Sequence, residues 1–185
     1  MPRYVALFRG INVGKAKRIA MADLRALLVK LGFSEVQTLL NSGNAIFTGR
    51  AEPAAKLAAR LREAVAKQLG VDALVIVKSA QDIAGIAAGN ALEKLATDHS
   101  KLLVAMTNNR ETLDALGRLA TAEWGAEKVH IGKHAAYVWC ANGILESKAA
   151  VALLKNLDGT GTTRNWATVI KILALMTRQA NTESA

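Results

Sequence analysis

The sequence predicts an α+β fold with two ferredoxin-like (βαββαβ) halves, the second modified with an extra C-terminal helix in place of its last strand. Two observations predict this fold. Short apolar runs, which are typical of strands, alternate with longer stretches that carry leucine and alanine at helical spacing. The order strand, helix, strand, strand, helix then occurs twice along the 185 residues. Because 51% of the residues are hydrophobic, the chain can bury a core and is globular.

The first half begins with a strand that we expect in the centre of its sheet. Residues 3–9 are apolar on both faces, which indicates a strand that is covered on both sides. Residues 21–31 carry leucines at helical spacing, and Gly32 is placed to end this helix. The turn between the two elements is rich in glycine and in cations.

A hairpin, a second helix and a fourth strand complete the first half. Strands over 35–40 and 44–48 are joined by Asn, Ser and Gly residues that tolerate positive φ. Pro53 opens a long helix that ends at Gly70, and residues 73–77 form the last strand. The half is therefore a complete βαββαβ unit.

The second half repeats this order up to its final element. The pattern predicts a strand over 101–106, a helix over 110–120, strands over 127–131 and 135–140 around a Gly-Lys turn, and a helix over 147–157.

The last predicted element is a helix over 164–178, where a ferredoxin-like half has its fourth strand. One of the two threonines before Arg164 is expected to cap it. Arg164 then falls in the first turn, where the helix dipole disfavours a cation. Trp166 is expected to pack its ring and to donate its indole N–H to an acceptor.

The element order divides the chain into three parts. Residues 1–80 form an N-terminal ferredoxin-like half, and residues 101–185 form a C-terminal α+β half with terminal helices. Residues 81–100 are a connecting segment, weakly helical and interrupted by Gly85 and Gly89.

Charge and cysteine content limit the partners and the compartment. Lys and Arg outnumber Asp and Glu by 24 to 15, a formal net charge of +9. This excess favours an anionic small molecule or nucleic acid as partner, and solvated surface cations explain it equally well. The aromatic content of 4% weighs against a single-strand binder. A single cysteine, Cys140, and the lack of a signal-peptide or membrane-spanning pattern indicate a cytoplasmic protein without membrane contact.

The first candidate site is the turn after the first strand, residues 9–18. It contains the candidate ligand-binding residues Arg9, Gly10, Asn12, Gly14, Lys15 and Lys17. Backbone amides of such a turn approach anions, and an anion would relieve the repulsion among cations ahead of a helix N-terminus. The spacing matches neither the dinucleotide fingerprint nor the P-loop. A basic loop in water is the alternative.

Two further segments are expected to contribute to the same site. Thr163, Arg164 and Asn165 open the last predicted helix. The helix dipole disfavours the positive charge of Arg164 there, and an external anion or an internal carboxylate would balance that charge. Ser42 and Asn44 lie in the hairpin turn, where turn chemistry alone also explains them. A shared site requires the first strand, the hairpin and the last helix to converge.

The sequence predicts no cofactor and no metal site, and it identifies no catalytic residue. His130 and His134 flank a hairpin turn, so helix-face metal spacing does not apply to them. The carboxylates of the second half, Asp158 among them, are scattered without a defensible acid–base pair. Whether the chain is an enzyme therefore stays open.

Four motifs follow one another along the chain. They are Arg9-Gly10-Ile11-Asn12-Val13-Gly14, the helix start at 21–28, Ser42-Gly43-Asn44 and Thr162-Thr163-Arg164-Asn165-Trp166. Together they resemble the bacterial family called domain of unknown function 1697, from Tyr4 to about Leu175. The resemblance implies a cytosolic α+β protein with ferredoxin-like halves and no established activity. At Lys15, Lys17 and Ala20 the chain departs from residues that are frequent in the family, and its turn is stiffer and more basic.

Three hypotheses follow from these observations. The first is a cytosolic binding protein for a phosphate-bearing or other anionic ligand, nucleic acid among the candidates, at the turn 9–18. The second is an enzyme on a small anionic substrate that Asn12, Ser42 and Arg164 orient. The third is a structural or interaction module whose polar motifs clasp the two halves together. The oligomeric state is not indicated.

Overall fold

The computed structural model describes residues 1–157 and 159–178, so Asp158 and residues 179–185 of the predicted C-terminal half lie outside the described residues. The first half contains β1 (Arg3–Phe8), α1 (Met21–Lys30), β2 (Ser34–Leu39), β3 (Asn44–Thr48), α2 (Ala54–Leu69) and β4 (Val75–Ser79). A connecting helix, α3 (Ala80–Ala88), follows. The second half contains β5 (Leu102–Thr107), α4 (Arg110–Ala115), α5 (Gly117–Ala120), β6 (Lys128–Ile131), β7 (Ala136–Trp139), α6 (Lys148–Asn156), β8 (Gly161–Asn165) and α7 (Trp166–Thr177).

The strands form two antiparallel sheets with the same internal order. The first sheet has the order β2-β3-β1-β4 and the second has the order β6-β7-β5-β8. In both, the first and third strands of the half are central, and the second and fourth strands are at the edges. The prediction of two ferredoxin-like halves is confirmed.

The central strand β1 separates two hydrophobic cores. Tyr4, Ala6 and Phe8 face α1 and α2, while Val5 and Leu7 face the second half. The strand is therefore buried on both sides, as its two apolar faces predict.

The second core lies between the two sheets and belongs to both halves. Its members include Leu7 and Ile76 from the first sheet, Val104 and Tyr137 from the second, and Trp166 from α7. A third core lies on the outer face of the second sheet, beneath α4, α5 and α6. The shared core fixes the relative position of the halves, because neither half can expose this face to water without losing apolar burial.

The connecting segment contains a well-capped helix. Ser79 and Asp82 form a capping box at the start of α3, in which each side chain accepts from the other's backbone N–H, at 3.1 and 2.9 Å. Ile83 and Ile86 are buried in the shared core. The limits of the three predicted parts of the chain stay predictions.

The second sheet contains its fourth strand, so the prediction of a helix in its place is wrong. β8 pairs with β5, from Leu103 opposite Asn165 to Thr107 opposite Gly161. Its sequence, GTTRN, has no apolar alternation, and the pattern that identifies strands therefore misses it. Threonine favours extended backbone. The strand also forms hydrogen bonds with main-chain groups of β5 that would otherwise be buried without a partner. The C-terminal helix is extra, but it follows this strand.

The helix α7 begins later than predicted, at Trp166. Its N-cap is Asn165, whose Oδ1 accepts from the N–H of Thr168 at 2.9 Å, and neither threonine before Arg164 has this role. Arg164 lies in β8 and not in the first turn of a helix, so the predicted repulsion between its charge and a helix dipole does not apply. The indole N–H of Trp166 has no acceptor among the described residues, contrary to the prediction, because the ring is enclosed by the apolar shared core.

Candidate functional site

Two arginines cross the seam between the halves in opposite directions. Arg9 follows β1, and its Nη1 donates to the carbonyl oxygens of Leu157 and Gly161 at 3.0 and 3.1 Å. Arg164, on β8, extends into the first half. Each half therefore places a cation on main-chain oxygens of the other half, and we call Arg9 and Arg164 the crossed arginines.

Arg164 donates six hydrogen bonds from its three nitrogens. Nε donates to Asn44 Oδ1 at 2.6 Å, and Nη1 donates to Thr162 Oγ1 at 3.1 Å and to the carbonyl of Thr163 at 2.8 Å. Nη2 donates to the carbonyl oxygens of Phe8, Ser42 and Gly43, at 2.8, 3.1 and 3.2 Å. The guanidinium thus joins the end of β1, the β2–β3 hairpin and β8. These are the chain segments that the sequence required to converge, with β8 in place of the last helix.

Among the residues that the structure describes, the buried charge of Arg164 has no counterion. The residue is only 9% exposed, and all six of its acceptors are neutral oxygens. Within the part of the chain that the structure describes, no carboxylate forms an ion pair with it. Burial lowers the pKa of Arg164 to about 10, so the group is still charged at neutral pH.

The hairpin between β2 and β3 is held in place by Asn44. Its Nδ2 donates to the carbonyl of Leu39 at 2.7 Å and to Ser42 Oγ at 3.2 Å, which leaves its Oδ1 for Arg164. Gly43 has a φ of +82°, and a Cβ there would lie 2.5 Å from Ile11 Cδ1. Only glycine therefore fits this turn, and the hairpin carbonyls are fixed toward Arg164.

The turn 9–18 is closed on itself by Asn12. Asn12 Nδ2 donates to the carbonyl oxygens of Ile19 and Asn41, both at 2.9 Å, and Asn12 Oδ1 accepts from the N–H of Ile19 at 2.8 Å. The N–H of Asn12 also donates to the carbonyl of Lys17 at 3.0 Å. Asn12 therefore fastens the turn to the hairpin. Lys15 is exposed at its surface, as is Lys17.

An open cleft of about 190 Å³ lies beside the crossed arginines. Its polar lining comes from Arg9, Gly10, Ser42, Thr162, Thr163 and Arg164. Its apolar lining includes Val13 and Leu154, which are 72% and 40% exposed. The cleft thus combines cationic and hydroxyl groups with an exposed apolar rim.

The structure brings together only part of the predicted set of site residues. Arg9, Gly10, Ser42, Thr163 and Arg164 line the cleft, and Asn44 lies buried behind it. Asn12 lines a separate depression with Asn41, and Asn165 caps α7. Gly14, Lys15 and Lys17 lie in the exposed outer part of the turn and line neither of these two cavities.

Sequence reasoning missed two kinds of cleft residue. The sequence predicts for Thr162 only the role of a helix cap, but its hydroxyl accepts a hydrogen bond from Arg164 at the wall of the cleft. Leu154 lies in α6, where it is partly exposed, and no local sequence signal connects it with the turn 9–18. An apolar residue on the outer side of an amphipathic helix is the one cue that pointed to a surface role.

A larger cavity, about 560 Å³, lies elsewhere, between the end of α1 and the start of α2. Three cations line it, Arg50, Lys56 and Arg60, and the last two are paired with Glu52 at 3.5 and 3.2 Å. Arg60 also lies over the ring of Phe33, 4.6 Å from its centroid. Glu52 offsets part of this charge, and the cavity lies away from the segments that the shared-site hypothesis requires to converge, so its size does not make it the candidate site.

The described residues contain no group of three His, Cys, Asp or Glu side chains that could hold a metal ion. No helix among them combines the length and the apolar composition that are needed to cross a membrane.

Comparison with known proteins gives a family and a fold. The model of the family described as "Protein of unknown function (DUF1697)" matches residues 1–137. The solved structure of the conserved bacterial protein SP0830 from Streptococcus pneumoniae superimposes with a TM-score of 0.78 at 25% identity, over 95% of this chain and 99% of that chain. No curated protein matches the chain.

Proposed function

The chain belongs to the family described as protein of unknown function (DUF1697), and because that description names no activity, we propose a function from the cleft: cytoplasmic binding of a small anionic ligand. The ligand bears a phosphate or a carboxylate and lies between the two halves, beside the crossed arginines. The observation that carries this proposal is the buried charge of Arg164, whose acceptors among the described residues are all uncharged oxygens.

An anion in the cleft would balance that charge. A buried cation without a counterion is costly, and the interaction between opposite charges is stronger near low-dielectric surroundings than in water. Because the N–H groups of Arg164 all donate within the protein, its contribution is long-range attraction. Direct hydrogen bonds would come from Ser42 and Thr163, whose hydroxyl hydrogens have no acceptor among the described residues.

The cleft limits the size of the ligand. Its volume of about 190 Å³ corresponds to about six water molecules, which suits inorganic phosphate or a small phosphate ester. The exposed cations Lys15 and Lys17 on the adjoining turn would attract such a ligand from solution. The base-stacking mode of ferredoxin-like RNA binders has less support, since Tyr4, Phe8 and Phe47 are all buried in the first core.

A structural clasp is the second candidate function, and one observation favours it. Every nitrogen of Arg164 donates within the protein, so the crossed arginines join the halves without any ligand. In this case the polar motifs serve stability alone, and the cleft takes no anion.

Titration calorimetry with inorganic phosphate and with a small phosphate ester tests the proposal. We expect binding, and we expect Ser42→Ala and Thr163→Val each to weaken it about two- to tenfold, the value of one hydrogen bond. Both changes leave Arg164 in place. Ser100→Ala, which removes an exposed hydroxyl from a different turn, is the matched control and leaves the affinity unchanged.

Three results would overturn the proposal. If neither phosphate nor the phosphate ester gave binding heat in calorimetry or chemical-shift changes in NMR spectra, the structural clasp would remain as the function. Affinity as high in Ser42→Ala and Thr163→Val as in the unchanged protein would show that phosphate binds to the general positive surface. Tight binding of single-stranded RNA with a steep salt dependence would replace the small ligand with nucleic acid.

A further inference from the structure

A second polar cavity lies on the seam between the halves, and it shares no residue with the cleft. It has a volume of about 140 Å³, the space of about five water molecules. It is formed where the side chain of Lys78, on β4 of the first half, meets the segment that follows β5 of the second half.

Lys78 lies on the side of the first sheet that faces the shared core. It pairs with Val5 of β1, whose side chain is in that core. Its Nζ donates to the carbonyl oxygen of Thr107 at 2.7 Å, and no carboxylate among the described residues forms an ion pair with it. Burial lowers the pKa of Lys78, against an opposing effect of Asp82. More of this amine is therefore neutral, and able to act as a nucleophile, than of a solvated lysine.

The groups that surround the amine would attract an anion. Arg110, Lys133 and His134 line the cavity with Lys78, and no carboxylate lines it. Arg110 is directed by two contacts, Nε to Asp114 Oδ1 at 2.7 Å and Nη1 to the carbonyl of Lys133 at 2.6 Å. A partly buried amine, an opening to solvent and an excess of cations thus occur in one place.

We propose that Lys78 is a reactive amine and that this cavity takes a small carbonyl compound with a carboxylate group, such as a 2-oxo acid, which forms an imine with Nζ. The neutral amine attacks the carbonyl carbon, so that a C–N bond forms. The former carbonyl oxygen then leaves as water together with both amine protons. No oxidant or reductant takes part. Arg110 and His134 bind the carboxylate and hold the carbonyl carbon at the amine.

Borohydride trapping tests this inference on the intact chain. The protein is incubated with glyoxylate or pyruvate, reduced with borohydride, digested and mapped by mass spectrometry. We expect Lys78 to be labelled severalfold faster than Lys101, because its amine is partly desolvated and lies among cations that attract the carboxylate. Lys101 is a matched internal control, because its Nζ also contacts a main-chain carbonyl, that of Ala141 at 3.5 Å, but it lines neither the seam cavity nor the cleft.

Two variants separate the parts of the inference. Arg110→Gln, at a half-exposed position, is expected to slow labelling by glyoxylate severalfold and to leave labelling by uncharged acetaldehyde unchanged. Ser100→Ala, at an exposed turn that lines neither cavity, leaves both rates unchanged. Labelling of Lys78 and phosphate binding in the cleft are measured at sites that share no residue, so failure here and failure of the proposed function are distinguishable. Equal labelling of Lys78 and Lys101, or a preference for Lys78 that persists in urea, would overturn the inference.

Discussion

The side chain of Arg164 holds a positive charge inside the protein with uncharged oxygens alone. Arginine suits this position better than lysine does. Its guanidinium is planar, weakly hydrated and supplies donors in several directions, so three chain segments can be contacted at once. An ammonium group has three donors and a larger cost of dehydration. The shape of the cation therefore matters here as much as its charge.

Arg164→Lys tests this argument because it keeps the charge and removes the fork. We expect the free energy of unfolding to fall by about 2–4 kcal/mol, since buried carbonyl oxygens lose charged donors. Urea denaturation followed by circular dichroism measures the change. Arg62→Lys, in an exposed pair with Asp72, is the control and is expected to leave stability unchanged. Similar losses in both variants would contradict the role given to the buried fork.

The sequence indicates which segments form this arrangement, but it does not predict which groups accept the hydrogen bonds of Arg164. The wrong-signed charge at Arg164 and the basic turn after β1 indicated that these segments are unusual, and the structure brings Arg9 and Arg164 to one cleft. It also shows that the hydrogen bonds of Arg164 are used within the protein. That result depends on a contact between Phe8 and Arg164, which are 156 positions apart, and no local pattern contains it.

At the scale of single elements, the β2–β3 hairpin determines where Arg164 binds. Its turn presents two carbonyl oxygens, those of Ser42 and Gly43, to one guanidinium nitrogen. This presentation depends on the left-handed backbone at Gly43 and on the space that Ile11 occupies beside it. A change in the hairpin is therefore expected to act on the seam as well as on the sheet.

Gly43→Ala is expected to lower the free energy of unfolding by about 2–4 kcal/mol, since it combines an unfavourable φ with a collision at Ile11. Gly70→Ala is the matched control. Gly70 also has a positive φ, +69°, but a Cβ there meets no atom within 4 Å, so we expect a loss of about 1 kcal/mol. Thermal and urea denaturation measure both variants. Equal losses would show that backbone conformation alone accounts for the effect.

The elements themselves were predictable to different degrees. Those of the first half follow from apolar alternation and from glycine and proline at their ends, because each carries its own signal. The strand β8 carries none, as its threonines and its arginine are chosen by contacts with β5 and with the hairpin. Polar residues that satisfy distant backbone groups resemble loop residues in a one-dimensional pattern.

At the scale of the whole molecule, the two halves are joined by a core that neither could complete alone. Tyr137 illustrates this connection. Its ring belongs to the shared core, and its hydroxyl donates to the carbonyl of Ile86 in α3 at 2.5 Å. Burial raises the pKa of Tyr137 far above the ordinary value of 10.0, because the phenolate would lose its hydration. The stability of the molecule should therefore depend on pH in the alkaline range.

The sign of this dependence follows from the raised pKa. Below pH 10 both the folded and the unfolded chain hold the proton, and the contribution of Tyr137 is complete. As the pH rises above 10, only the unfolded chain releases it, so stability falls by up to about 1.4 kcal/mol per pH unit from this group. Tyr137→Phe should lose about 1 kcal/mol at neutral pH and show a shallower alkaline decline. Parallel alkaline curves for the two proteins would contradict this prediction.

The contact between Phe8 and Arg164 also has a consequence for the synthesis of the chain on the ribosome. The carbonyl oxygen of Phe8 leaves the ribosome 156 residues before the guanidinium that binds it. At roughly 5–20 residues per second, that interval is about 10–30 s. Until Arg164 is added, the side of the first sheet with Val5 and Leu7 has neither α7 nor a complete second sheet to cover it. Such a nascent sheet is an expected target for chaperones that recognise exposed apolar surface, and codon choices that slow the second half would lengthen its exposure.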